Sequence, residues 1–199
     1  MMLSEVTTIA DAALPVVQFR SHLRLGSGFG EDDLQDELLK GFLRAAVAAI
    51  EARTGKILLA RDFSWVVHAW SDPEGARLPV APVSAVTGVV LVDAAAAEVA
   101  VDPSRYWLEQ DSQRPVLRPV GVLLPTIPTA GHARIALSAG MAADWGGLPA
   151  DLGQAVLLLA AHYYAYREET ALVAGCMPFG VSSLIERYRV VRLGSGAAR

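Results

Sequence analysis

The chain has 199 residues, 53% of them hydrophobic and 19% charged, and carries a net charge of −4. That length suffices for one sizeable core, alone or with an inserted subdomain, and the acidic balance excludes a general attraction to nucleic acid or anionic lipid. The lone cysteine, Cys176, excludes an intrachain disulfide and any cysteine-rich zinc site.

Residues 1–13 read as a loose leader. The opening "MMLSEVTTIADAALP" has no basic start and no long apolar run, so no signal peptide is expected. Next, "LPVVQFRSHLRL" sets Pro15 in a helix's first turn, with Val16, Phe19 and Leu23 at helical spacing. "GSGFG" breaks the chain. "EDDLQDELLKGFLRAAVAAIEARTG" then predicts a long helix over about 31–53, with Leu34, Leu38, Phe42, Ala45 and Ala49 recurring every three or four positions. Acids fill its first turn, Arg53 lies in its last, and Gly55 supplies the stop. Gly41 in its middle costs about 1 kcal/mol against alanine, which predicts a close contact there.

After Gly55 the pattern changes. "RDFSWVVHAW", "VSAVTGVVLVD" and "HARIALSAG" read as strands, and "RYWLEQDSQRPVLRP" as two strands around a polar turn. Proline and glycine punctuate them at short intervals, so residues 56–140 are expected to form an inserted, mostly antiparallel β subdomain. Helix returns at "LPADLGQAVLLLAAHYYAYREE", about 149–169, with Leu152, Val156, Leu159, Tyr163 and Tyr166 on one stripe. Its back face is also apolar, which predicts burial on two sides, by its own chain or by a neighbour. The stretch "AVLLLAA" is far shorter than the roughly 20 residues that span a bilayer. A short Ser-capped helix over about 181–188 follows. The expected class is α+β: a helical core from 14–55 and 141–193, the β insertion at 56–140, and a flexible tail at 194–199.

No constellation announces catalysis, a cofactor or a metal. "GSGFGEDD" has the wrong glycine spacing for a phosphate cradle, follows no strand, and puts Glu31, Asp32 and Asp33 where phosphate would sit. His22, His68, His132 and His162 lie in four separate elements without H-E-x-x-H spacing. No G-x-S-x-G occurs, and Cys176 has no histidine near it in sequence. The end of the chain, "LIERYRVVRL", stands out instead. Arg187, Arg189 and Arg192 outweigh Glu186, while Leu184, Ile185, Tyr188 and Leu193 offer apolar anchors. Three readings stay open: a last helix folded on its own core, a salt-sensitive DNA contact, or a docking element steered by arginines and anchored by leucines.

The ordered series "HLRL", "AAIEARTGKIL", "FSWVV", "LPVAPVSAVTGVVLVD", "YWLEQ", "RPVLRP", "ARIALSAGM", "LPADLGQAVLLLAAHYYAYRE" and "LIERYRVVRL" resembles the head–tail connector, or adaptor, proteins of long-tailed bacteriophages. In particular it is similar to the version in gene transfer agents, phage-like particles that carry host DNA between bacteria. The likeness runs from about residue 14 to 193.

It implies a structural protein without catalysis or cofactor, whose copies form a dodecameric ring beneath the portal protein and continue the DNA channel toward the tail. Leu184, Ile185, Tyr188, Arg189, Arg192 and Leu193 match the segment expected to contact the portal. Leu157, Leu158, Ala161 and Tyr164 would pack between neighbouring copies. Glu31, Asp32, Asp33 and Asp36 are candidate channel-facing acids, with a solvated outer face as the equal alternative. The implied partners are the portal, other copies of the chain, and a stopper or tail-terminator protein, with DNA passing through unheld and no membrane involved. The expected location is cytoplasmic during assembly and then the particle neck. The alternative is a DNA-binding or packaging accessory that uses the basic arm. In "DAAAAEVAVD" this chain departs from the polar hairpin turn expected in the family.

Overall fold

The computed structural model describes residues 2–25, 32–167 and 177–189, with no side-chain description for 32–34. The chain forms two compact units, one from Met1–Val16 and Lys56–Leu148, the other from Val17–Gly55 and Pro149–Arg199.

Among the described residues the first unit holds every strand: β1 (Met2–Glu5), β2 (Arg61–Val67), β3 (Ala76–Arg77), β4 (Val83–Val92), β5 (Glu98–Ala100), β6 (Tyr106–Glu109), β7 (Val116–Pro119) and β8 (His132–Ala139). They make two antiparallel sheets, in the orders β1-β2-β8-β4-β5 and β3-β7-β6. Alternation decides which faces are buried. On β8 the side chains of Ala133, Ile135, Leu137 and Ala139 are buried, and on β2 those of Phe63, Trp65 and Val67. These share one core with Ala76, Tyr106 and Leu117 of the smaller sheet, so the two sheets face each other across it.

Two features of this unit differ from expectation. The leader is not loose, because β1 pairs with β2 along its whole length, from Met2 opposite Val66 to Glu5 opposite Phe63. Arg61 then reaches across to Glu5, Nε to Oε1 2.8 Å. The alanine-rich hairpin turn has a polar organiser after all: the Asp93 carboxylate accepts the backbone N–H of Ala95 and of Ala97. Gly140 ends β8 in a place only glycine fits, since a Cβ there would lie 2.3 Å from the Cα of Ala60.

The second unit holds the long helices. α1 (Val16–His22) leads into it, followed by α2 (Asp32–Thr54), α3 (Ala150–Ala165) and α4 (Phe179–Ile185). α2 packs on α3, and α3 on α4. The Arg20 guanidinium of α1 pairs with Asp36 of α2 at 2.8 Å. α2 ends at Gly55, whose φ of +68° takes the left-handed turn that stops a helix. Its buried stripe is Leu39, Leu43, Ala46, Val47 and Ile50. That is one position round from the expected stripe, because α2 has two apolar rows and the bulkier one wins the core. Leu38 is left 48% exposed, Ala45 is exposed, and Gly41 faces open space.

On α3 the expected Leu152, Val156 and Leu159 are buried, joined by Ala155 and Ala160. The helix stops at Ala165, and Tyr166 lies beyond it, exposed. α4 starts after Pro178 with no side-chain cap, so the serine cap expected near 181 is not used: Ser182 and Ser183 sit inside the helix. A 3-10 turn, Glu186–Tyr188, completes the described part of the arm.

Candidate docking site

The arm is built on α4 and the turn that follows. Val181 and Ile185 are fully buried and, being four residues apart, seat one face of α4 in the core of its own unit. Ile185 therefore supports the arm and offers no surface in this conformation. Leu184 is half-buried. Arg192 and Leu193 lie outside the described residues.

The turn is held by one carboxylate. Asp151, in the first turn of α3, accepts the Tyr188 hydroxyl at 2.9 Å on Oδ1, and its Oδ2 pairs with Arg187 Nε at 2.9 Å. Arg187 also donates to the Tyr188 hydroxyl oxygen and lies over its ring, 4.7 Å from the centroid. Burial raises the Tyr188 phenol above its ordinary value, while the Arg187 hydrogen bond pulls the other way and Asp151 adds to the rise. Arg187 is held still more firmly protonated, chiefly by that bond to Tyr188. Arg189 is exposed and paired with Glu186, 3.0 and 3.2 Å to its two oxygens. The backbone is extended at Arg189, so the helical turn ends there.

The expected packing residues of α3 lie off its buried stripe. Leu157, Leu158 and Ala161 are each half-buried. Tyr164 is also half-buried, edge-on to Phe42 at 5.9 Å and covered by the Arg167 guanidinium at 4.6 Å. Of the four candidate acids, Glu31 lies outside the described residues. Asp32 and Asp33 open α2, and their side chains are not described. Asp36 is spent on Arg20 and is no free charge.

Sequence reading missed two exposed apolar groups. Phe179 is 89% exposed at the start of α4. It lies off the row shared by Val181 and Ile185, and a helical wheel begun at Pro178 would have placed it outward. On the β unit, Trp107, Val120, Val122 and Leu123 are all at least half exposed. The signal there was "VGVLLP", an apolar run where a polar connection is usual. Among the described residues no group of histidines, cysteines and acids could hold a metal ion. His68 and His132 do meet edge-on, 5.8 Å apart, with no carboxylate in the arrangement.

No protein-family model matches the sequence, nor does any curated protein. Solved structures do. A chain in the neck of an empty GTA particle computed with C6 symmetry is 48% identical, with a TM-score of 0.88 and 100% of both chains covered. A chain in the virion of a native gene transfer agent (GTA) particle is 48% identical, with a TM-score of 0.84, over 98% of this chain and 99% of that one. The chain belongs to the head–tail connector, or adaptor, family of gene transfer agents. A third such chain, from the neck of a native GTA particle computed with C12 symmetry, is 45% identical with a TM-score of 0.84 over 100% of both chains. The gene transfer agent adaptor expected from the ordered series of motifs over residues 14–193 and the α+β class are both borne out, and the role is a structural one in the particle neck.

Proposed function

We propose that this adaptor forms a ring of copies that docks on the portal through its C-terminal arm and continues the DNA channel toward the tail, without catalysis. The full-length likeness to a chain from a neck of C12 symmetry carries the reading, and favours twelve copies. Leu157, Leu158, Ala161 and Tyr164, half-buried on the subunit alone, are the face a neighbouring copy would cover. Arg189, Arg192, Leu193 and the exposed edge of Leu184 are the portal-facing set, with Ile185 as their buried support. A stopper or tail-terminator protein would take the opposite end. The acidic chain, repeated around a ring, gives a lumen that repels passing DNA.

The alternative of an arm that binds DNA is weakened at Arg187. Arg187 already pairs with Asp151 of its own subunit. Deleting residues 190–199 tests the docking reading. It spares Val181 and Ile185, so the fold should survive while association with purified portal rings is lost. Undiminished association would refute the docking role.

A further inference from the structure

We propose that Asp151 is a positioning residue for the C-terminal arm: by holding Arg187 and Tyr188 on the first turn of α3, it fixes the position and direction of the backbone at Arg189, where the portal-facing segment begins. This rests on the docking reading above and adds the element that makes the arm a presented ligand.

An acid in a helix's first turn is favourable with no partner at all, because the helix dipole and free N–H groups suffice. Asp151 takes one such N–H, from Leu152, at 3.0 Å. Yet both of its oxygens are also spent on residues 36 and 37 positions later, by an ion pair and a phenol hydrogen bond. Arg187 closes the triangle by bonding and stacking on Tyr188. The three groups thus fix one another, and charge-assisted bonds of this kind are the strong ones. The helix beneath does not yield, since Leu152, the next residue, is fully buried.

The chain turns extended at Arg189, one residue past the triangle. Ordering that exit before docking removes part of the conformational entropy otherwise lost on binding. The arrangement also divides labour within the arm: Arg187 and Tyr188 are bonded to Asp151, leaving the exposed Arg189 for the partner.

The test uses the full chain with Asp151→Asn, Asp151→Glu and Tyr188→Phe, each checked by thermal melt. Affinity is measured for purified portal rings, and limited trypsin cleavage after Arg187 is followed on the free protein. Asp151→Asn is expected to weaken portal affinity about tenfold and to speed cleavage at Arg187, with the melting temperature nearly unchanged. Asp151→Glu, which keeps the charge, should recover part of both, and Tyr188→Phe should give a smaller loss. A chain lacking residues 190–199 serves as control. If it loses the portal while Asp151→Asn binds within twofold of the parent, the positioning role is refuted, whatever the cleavage rate. If the control still binds the portal, the docking reading itself has failed, and the positioning role with it.

Discussion

Lys56, only 2% exposed, donates from its ammonium to the backbone carbonyl of Ser112, at the tip of the β6–β7 hairpin. The same tip is folded by Asp111, whose carboxylate accepts the N–H groups of Gln113 and Arg114 and is held below the usual aspartate range by them. A buried amine so placed ties the hairpin to the segment that follows Gly55.

Lys56→Met should therefore destabilise the protein by about 1.5–3 kcal/mol at neutral pH, the worth of a hydrogen bond made by a charged group. The pH dependence has a definite sign. Burial lowers the Lys56 pKa below 10.5, with Asp111 opposing, so the unfolded chain binds the proton more tightly. Stability of the parent then rises as pH climbs from the folded value toward 10.5. Urea melts at pH 7 and pH 10 should show the gap between parent and variant widening at the higher pH.

Gly140→Ala and Gly41→Ala should move stability in opposite directions. At 140 a Cβ would collide with backbone at 2.3 Å, and a loss of about 3 kcal/mol or more is expected. At 41 no atom lies within 4 Å of the added carbon, and alanine should gain about 1 kcal/mol through helix propensity. Chemical denaturation of the two variants, side by side, checks both.

Leu158→Asp tests the face assigned to the neighbouring copy. The residue is half-buried, so the isolated subunit should lose no more than about 1–2 kcal/mol. Rings assembled on the portal should fail to close when imaged by electron microscopy. Complete rings from a folded Leu158→Asp subunit would move the interface elsewhere.

Raising pH should free the arm. Tyr188 has a pKa above the ordinary 10 in the folded chain, through burial first and Asp151 as a smaller contribution. The stability it lends to the turn is full below pH 10 and is lost as pH rises through the folded value. Tyrosinate beside Asp151 would also repel it. Amide exchange at Arg189, bonded to the Glu186 carbonyl at 3.2 Å, should speed up in that range beyond its intrinsic pH dependence, and Tyr188→Phe should abolish the excess.

The sequence carried the long-range plan well because its signals are periodic and redundant. β2, β4, β6, β7 and β8 all announced themselves as alternating or β-branched runs, α2 as a long amphipathic segment with an acidic start, and α3 as a long helical segment apolar on both faces. What it hid depends on competition between near-equal choices. The two apolar rows of α2 differ by one residue, and only a partner surface selects Leu39 and Leu43 over Leu38 and Ala45. β1 is too short and too polar to be read as a strand until β2 offers it an edge. Within the arm, Ile185 and Tyr188 look alike as apolar anchors in a string of letters. One is core and the other is bonded to Asp151, a residue whose role no local pattern reveals.

The order of synthesis acquires meaning from the way the two units are cut from the chain. α2 leaves the ribosome early, but α3, the helix that packs on it, is encoded only after the entire β unit. The β unit has all of its strands once residue 139 is made and can fold while translation continues. α2 must meanwhile wait for that partner through roughly a hundred residues of further elongation, a delay of several seconds at bacterial-scale rates. That interval leaves α2 without the helix it packs on in the finished fold.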